Sequence, residues 1–160
     1  MLKENLDCPV KVRRYVNAEA SDPPVLSVLI PSLKGGENGR LAALEGFLKR
    51  QSFKDFEVIQ ILGDPRQGRA INRAFRISRG KFLITLDDDT ELHDPHTFRK
   101  LVKALEEDPL VGIAGTSTIP GPKASAYQRI ATRQIPRRYF PLLSRTLDSD
   151  MAQHPCMAIR

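Results

Sequence analysis

Cysteine and long apolar runs are both scarce in this chain. Its 160 residues include only two cysteines, Cys8 and Cys156, which form no C-x-x-C pair, so the sequence predicts free thiols rather than a disulfide framework or a zinc site. No apolar run approaches the roughly 18 residues that a membrane-spanning helix needs. The charged N-terminus also lacks the continuous apolar core of a secretory signal, so we expect a cytoplasmic protein.

Acidic residues are missing from residues 109–147, and the chain as a whole carries a formal net charge of +6. Charge alone does not choose between a phosphorylated substrate, a nucleic acid, an acidic membrane surface and a solvated face. We expect no nucleic-acid partner, and we keep a peripheral contact of residues 123–145 with the inner face of a membrane as a hypothesis. The cations of the basic segment are Lys123, Arg129, Arg133, Arg137, Arg138 and Arg145.

Apolar residues change period along the chain, from continuous runs to helical spacing and back. The sequence predicts strands at 25–30, 56–62, 81–86 and 110–115, and helices at about 39–50, at 69–78 and after Asp94. Asn38 and Asp94 are predicted N-caps, and Gly80 is a predicted C-cap. The alternation predicts a three-layer, Rossmann-like α/β domain with a mostly parallel central sheet. The predicted parts are an arm at 1–24, the α/β domain at 25–118 and a basic C-terminal segment at 119–160.

Three consecutive aspartates, Asp87, Asp88 and Asp89, follow the third predicted strand in KFLITLDDD. Ligands of open parallel sheets bind beyond the carboxyl ends of the strands, which is where these carboxylates fall. Because alternate residues of an extended segment point the same way, we expect Asp87 and Asp89 to face the cleft and Asp88 to point aside. Mg²⁺ or Mn²⁺ commonly takes one or two protein carboxylates and leaves its other positions to water and phosphate. A solvated turn is the alternative, since aspartates also favour turns and caps.

Four segments, in order, resemble the nucleotide-sugar-binding half of a family 2 inverting glycosyltransferase with the GT-A fold. VLSVLIPS is similar to the family's first strand, and LAALEGFLKRQSFKDFEVI is similar to its first helix and second strand. GRAINRAFRISRGKFLITLDDDTEL resembles the Gly-x-Ala-x-Asn helix followed by the D-x-D strand, and HDPHTFRKLVKALEEDPLVGIAG resembles the helix and strand that come next. The resemblance implies a GT-A-type sheet that is reduced or truncated, since the segment between Asp64 and Gly68 is short.

The resemblance implies a metal-dependent enzyme of the hexosyltransferase type. Such an enzyme transfers a sugar with inversion from a nucleotide-diphosphate sugar to an acceptor hydroxyl, on a glycan, a lipid-linked molecule or a small molecule. By the positions of the family's motifs, Asp87 contacts the ribose side of the donor, Asp89 coordinates Mn²⁺ or Mg²⁺ on the diphosphate, and Arg66 adds a cation for phosphate. The metal pair is then Asp87 and Asp89, and the donor-binding residues are Pro31, Ser32, Asp64, Arg66, Gly68, Arg69, Asn72, Asp87 and Asp88.

Two departures from the family concern recognition of the base. Leu33 follows Ser32 where the family often has an aromatic residue, which removes a stacking surface for the base. Leu62 and Gly63 stand where an acidic pair is usual, so Asp64 supplies a base contact only through a shifted loop.

An inverting transfer also needs a general base, and the sequence does not identify one. The late acids Asp148 and Asp150 precede HPCMAIR, the segment after which the family's acidic base commonly follows. We therefore expect residues 119–160 to begin an incomplete acceptor-side region, so that the chain is a fragment, a truncated gene product or a donor-binding module. The alternatives are a non-catalytic nucleotide-binding or interaction module and a phosphoacceptor receiver domain, which needs acids where Pro31 and Ser32 follow the first strand.

Overall fold

The computed structural model describes residues 10–34, 39–117, 119–121, 124–134 and 156–160 of the chain. Strands and helices alternate through most of this part, which confirms the predicted α/β fold class. The elements are β1 (Lys11–Val16), β2 (Leu26–Ser32), α1 (Arg40–Arg50), β3 (Phe56–Leu62), α2 (Gln67–Ile77), β4 (Phe82–Leu86), α3 (Thr97–Glu107), β5 (Ile113–Gly115), α4 (Ala126–Gln134) and β6 (Cys156–Ile159).

The strands form one six-stranded open sheet in the order β1-β3-β2-β4-β6-β5. β2 lies between β3 and β4 and is parallel to both, so these three strands are the centre of the parallel region. β6 is antiparallel to both β4 and β5, which means that β5 runs in the same direction as β4, whereas β1 is antiparallel to β3. Four of the six strands therefore share one direction, and the sheet is mixed, with two parallel pairings at its centre and three antiparallel pairings towards its edges.

Two clusters of buried side chains cover the two faces of the sheet. α1 and α3 pack on one face, where Leu44 and Phe98 join the cluster that contains Val58 of β3. α2 packs on the other face, where Ala74 meets Ile59, the next residue of β3. All seven residues of β3 are buried, as expected of a strand that is covered on both sides. The two helices, the sheet and α2 make the three layers that the sequence predicts.

Two strands have no counterpart among the predicted elements. β1 lies within the arm at 1–24 and pairs along its whole length with β3, from Lys11 opposite Leu62 to Val16 opposite Glu57. All six residues of β1 are exposed, so the strand lacks the alternation of apolar and polar positions that indicates a half-buried strand. β6 lies between β4 and β5 in the sheet. Its four residues are too few to predict a strand from the sequence without knowing the strands that pair with them.

A buried carboxylate, that of Glu57, joins the strands at the amino end of the parallel region. Its Oε1 accepts hydrogen bonds from Ser27 Oγ at 2.6 Å and from the Arg79 N–H at 2.7 Å, and its Oε2 pairs with Arg14 of β1 at 2.7 Å. Burial acts to raise the pKa of Glu57, but the hydrogen bonds outweigh it and hold the pKa below its usual value. This carboxylate therefore connects β1, β2 and β3 at the end of the sheet opposite to the carboxyl ends of β2, β3 and β4.

The start of α3 differs from its prediction by a short turn. The helix begins at Thr97 with His96 as its N-cap, because Asp94 accepts the His96 N–H at 2.8 Å and closes a turn before the helix. Asp94 therefore caps this turn rather than the helix. The other predicted N-cap, Asn38, lies outside the described residues.

Gly80 does not cap α2, because the helix already ends at Ile77 with Ser78 as its C-cap. The backbone of Gly80 instead passes close to β2, where its N–H donates to Ser27 Oγ at 2.8 Å. A Cβ built on Gly80 would lie 2.5 Å from the Ser27 nitrogen. The position thus requires glycine for a close approach between two chain segments.

Candidate functional site

The carboxyl ends of β2, β3 and β4 meet at one edge of the sheet, because the three strands are parallel neighbours. Ser32 ends β2, preceded by the half-buried Pro31, and Leu86 ends β4. A tight turn follows β4 at once, and in it the Thr90 N–H donates to the carbonyl oxygen of Asp87 at 3.1 Å. The turn keeps the three aspartates at this edge, which we call the carboxyl edge.

Asp88 is held across the carboxyl edge by the last residue of β2. Ser32 Oγ donates a hydrogen bond of 2.6 Å to Asp88 Oδ2. Ser32 is buried and Asp88 is half-buried, so the hydrogen bond is partly shielded from water. The structure thereby brings together two residues of the predicted donor-binding set, although strand alternation predicts that Asp88 points aside.

Asp87 and Asp89 contact helices on opposite faces of the sheet. Asp87 Oδ1 accepts a hydrogen bond from Gln67 Nε2 of α2 at 2.9 Å, whereas Asp89 Oδ2 lies 3.5 Å from Arg40 Nη1 of α1. Side chains alternate strictly only within an extended strand, and β4 ends at Leu86, so the expectation that both carboxylates point the same way does not extend into the turn. Their joint role as metal ligands stays a prediction.

The carboxylates at this edge suit a small hard cation. Within the described ranges, no group of three or more His, Cys, Asp or Glu side chains is arranged to hold a metal ion. An ion that takes one or two carboxylates and completes its shell with water and phosphate needs no third protein ligand. The Asp89 side chain is 58% exposed, so an ion has access to its oxygens. The residues present therefore fit a site of one or two carboxylates.

Asp64, in the loop after β3, is buried and pairs with Arg69 in the first turn of α2. Both of its carboxylate oxygens accept from Arg69 Nε, at 2.7 and 3.0 Å, and Oδ1 also accepts the Arg66 N–H at 3.1 Å. The hydrogen bonds from Arg69 hold the pKa of Asp64 below its usual range. Because the Asp64 side chain has no exposed surface, the geometry favours a role in positioning Arg66 and Arg69, and a direct contact with the base stays a prediction.

The other predicted residues of this region lie on the exposed surface of α2 and at its start. Arg66 is the N-cap residue of the helix. Apart from its chain neighbours and its own helix backbone, no atom of the described residues lies within 4 Å of a Cβ built on Gly68, so a ligand has open space beside this glycine. An open groove on the outer surface of α2 is lined by Arg69, Asn72, Arg73 and Arg76.

Gln67 and Arg40 contact the aspartates and are absent from the predicted site. Gln67 is the first residue of α2 and Arg40 the first residue of α1. Each helix follows a strand that ends at the carboxyl edge, so its first residues lie beside that edge. The sequence could therefore have indicated both side chains, because residues at the predicted starts of these two helices are expected to lie beside the carboxyl edge.

Some of the predicted features lie outside the described residues. These include Asp148 and Asp150, Cys8 and most of the basic segment at 123–145. The other cysteine, Cys156, is a free thiol buried in β6, and burial raises its pKa to about 12. At neutral pH that thiol is protonated and therefore a poor nucleophile.

The sequence model of the family described as Glycosyl transferase family 2 matches residues 35–160, which include α1, α2 and the three aspartates. A comparison with curated protein sequences gives no match to this chain.

Proposed function

This chain belongs to glycosyl transferase family 2, and from that premise we propose that its carboxyl edge binds a nucleotide-diphosphate sugar for metal-dependent, inverting transfer of a hexose to an acceptor hydroxyl. Family membership makes the chain a glycosyltransferase, which takes a sugar from a nucleotide-sugar donor and passes it to an acceptor. The inversion, the hexose and the metal ion belong to the proposal.

The observation that carries the proposal is the hydrogen bond of Ser32 to Asp88, at the point where three consecutive carboxylates follow β4. Like charges this close repel one another unless a cation offsets them. The pair of Arg40 with Asp89, 3.5 Å apart, offsets little of the repulsion, because both side chains are more than half exposed to water. A divalent ion shared with a diphosphate would offset more of it and would hold the donor at the carboxyl edge.

Asp87 and Asp89 are the residues proposed to hold the ion, Mn²⁺ or Mg²⁺. When bound, such an ion neutralises the diphosphate and stabilises it as a leaving group. Asp87, which also accepts a hydrogen bond from Gln67, is proposed to lie on the ribose side of the donor. Asp88, oriented by Ser32, retains a second carboxylate oxygen that can accept hydrogen bonds from donor hydroxyl groups.

Arg66 and Arg69 are proposed to bind the diphosphate of the donor. Asp64 holds the Arg66 N–H and the Arg69 Nε, so this loop is ordered before the donor arrives and the η nitrogens of Arg69 remain for phosphate. The N-terminus of α2 adds N–H groups and the positive end of the helix dipole, both of which favour an anion. The open space beside Gly68 allows phosphate oxygens to approach the backbone.

The acceptor side of the reaction is assigned to no residue. An inverting transfer needs a general base to take the proton of the acceptor hydroxyl. The late acids Asp148 and Asp150 lie outside the described residues, so the proposed mechanism is restricted to binding and activation of the donor.

Titration calorimetry with nucleoside diphosphates, with Mn²⁺ and with a chelator in its place, tests the proposal. We expect binding that requires the ion, and equal binding in both conditions would contradict the metal assignment. Release of nucleoside diphosphate from sugar nucleotides in the presence of candidate acceptors then separates an enzyme from a module that only binds nucleotide. Metal-dependent binding without any release would support the module.

A further inference from the structure

One side of α2 carries a row of arginines. Arg69, Arg73 and Arg76 recur at spacings of four and three residues, which puts them on one exposed side of the helix, about 110° around its axis from the buried Ala70 and Ala74. At a rise of about 1.5 Å per residue, the row is about 10 Å long. The whole segment from residue 65 to residue 86 contains no acidic residue, so the segment itself supplies no charge that neutralises the row.

Two of these arginines have no acidic partner among the residues that the structure describes. Arg69 pairs with Asp64, whereas Arg73 and Arg76 form no ion pair with any residue in the described ranges. Both side chains are exposed. Their charge is therefore available to an anionic surface outside the protein.

Apolar side chains are exposed on both flanks of the row. Phe75 is 55% exposed and Ile77 is 37% exposed. At 100° per residue Ile77 lies about 40° from Arg73, and Phe75 lies about 100° from Arg76 on the other side of the row. β1 presents Val12 and Val16, 45% and 43% exposed, on the same face of the sheet, because Val12 lies opposite Ile61, which packs beneath α2. This face of the molecule thus combines cations with unshielded apolar groups.

We propose that this face, which we call the α2 face, docks on an anionic lipid surface. Arginines that are attracted to acidic headgroups, next to apolar side chains that enter the headgroup region, are the combination that holds peripheral proteins on membranes. No helix in the part of the chain that the structure describes is long and apolar enough to cross a membrane. The inference does not depend on the proposed glycosyltransferase site, because Arg73 and Arg76 have no role there.

A lipid surface fits the α2 face better than a nucleic acid does. At 100° per residue the three arginines lie within about 60° of one another around α2, so a flat bilayer contacts all three at once. Binding of a nucleic-acid strand depends, in addition to cations, on aromatic side chains on which successive bases stack. Within the described α2 segment, Phe75 is the one aromatic side chain, which gives a single stacking position.

Co-sedimentation of the full chain with vesicles tests the inference. Vesicles of phosphatidylcholine mixed with phosphatidylglycerol are compared with vesicles of phosphatidylcholine alone, at low and at moderate salt. We expect binding to the anionic vesicles that weakens as salt screens the charges. The double variant Arg73→Ala/Arg76→Ala should lower the partition coefficient about thirtyfold, and Arg73→Lys/Arg76→Lys, which keeps the charge, should leave it within about twofold of wild type.

The matched control removes two cations from the other face of the sheet. Lys49→Ala/Lys103→Ala changes the net charge equally, on α1 and α3, and should bind anionic vesicles almost as well as the wild type. Equal losses in this control and in the arginine variant would overturn the proposal, because net charge alone would then explain binding. Failure of the wild type to bind anionic vesicles would also overturn it.

Further measurements distinguish a lipid contact through the α2 face from a contact through the basic C-terminal segment and from binding of a nucleic acid. Phe75→Ala should weaken vesicle binding most at the higher salt, where the apolar contact provides a larger share of the affinity. If Arg137→Ala/Arg138→Ala lost vesicle binding and Arg73→Ala/Arg76→Ala did not, the contact would lie in the basic C-terminal segment, and the proposal would be overturned. Tighter binding to a single-stranded oligonucleotide than to anionic vesicles would overturn it in favour of a nucleic acid.

Discussion

Ser32 Oγ donates a hydrogen bond of 2.6 Å to Asp88 Oδ2, and so joins the carboxyl ends of β2 and β4. Replacing Ser32 with alanine removes the donor and leaves one side of the carboxylate without its partner. We expect Ser32→Ala to lower the free energy of unfolding by about 1.5 kcal/mol, the typical contribution of a hydrogen bond to a charged group. Nucleotide affinity should fall as well, because Asp88 loses the contact that orients it. Chemical denaturation and titration calorimetry measure the two effects.

Ser78→Ala is the matched control for that change. The Ser78 hydroxyl donates to the Phe75 carbonyl oxygen at the end of α2, away from the carboxyl edge. The control should keep the nucleotide affinity of the wild type. If both serine variants bound nucleotide equally well, Asp88 would have no part in holding the donor.

Asp89 is the most informative single residue for the metal assignment. Its side chain is 58% exposed and pairs with the exposed Arg40, so Asp89→Ala should change the free energy of unfolding by less than about 0.5 kcal/mol. The same variant should lose nucleotide binding that depends on Mn²⁺, because the ion loses a carboxylate ligand. Glu106→Ala, which removes an exposed acid from α3, is the control and should bind normally. Mn²⁺-dependent binding by Asp89→Ala at the wild-type affinity would rule out Asp89 as a ligand.

Asp64 gives a prediction about acid stability. Its pKa is lowered in the folded state by the hydrogen bonds from Arg69, so its contribution to stability is full above the unfolded value, about 3.9, and is lost as the pH falls through the folded value. Asp64→Asn has no such group to protonate. Its unfolding free energy should therefore be lower than that of the wild type at neutral pH and should fall less steeply below about pH 4.

Denaturation with urea at a series of pH values tests the Asp64 prediction. Glu106→Gln, on the exposed surface of α3, is the control and should follow the wild-type profile. Parallel pH profiles for the wild type and Asp64→Asn would show that the pairing with Arg69 does not stabilise the fold. Glu57 and Asp94 also have lowered pKa values, so the wild type retains part of its acid sensitivity in every variant.

The central strands could be read from the sequence because their apolar runs are continuous. The prediction for 56–62 matches β3 residue for residue, and the run at 25–30 gives the buried core of β2. A strand that is buried on both faces needs apolar residues at successive positions, so the local composition alone is enough to predict these strands. The position of the aspartates at the carboxyl edge follows from the same parallel topology.

The features that the sequence did not predict depend on pairing or on tertiary contact. β1 is exposed along its whole length, so only its register with β3 defines it as a strand. The directions of Asp87 and Asp89 depend on a turn, where the alternation of side chains stops. The need for glycine at position 80 arises from its approach to Ser27, which is distant in sequence.

Replacement of glycine by alanine should lower the stability of the fold at Gly80 and raise it at Gly68. At Gly80, a new Cβ would lie 2.5 Å from the Ser27 nitrogen and 2.7 Å from Ser27 Oγ, which accepts the Gly80 N–H and donates to the buried Glu57. Gly80→Ala should therefore destabilise the fold by about 2 kcal/mol through overpacking. At Gly68 nothing lies within 4 Å, so Gly68→Ala should stabilise α2 by about 0.5 kcal/mol.

Nucleotide affinity should respond to the two substitutions in the opposite order to stability: Gly68→Ala should lower it and Gly80→Ala should leave it unchanged. If phosphate oxygens approach the backbone at Gly68, as the resemblance to the family implies, the methyl group of Gly68→Ala occupies that space and lowers the affinity severalfold while the fold gains stability. Gly80 lies at the amino end of β4, so the folded fraction of Gly80→Ala should bind nucleotide with the wild-type affinity. Thermal denaturation with and without nucleotide measures both quantities on each variant. Wild-type affinity in Gly68→Ala would show that the donor does not pass close to the start of α2.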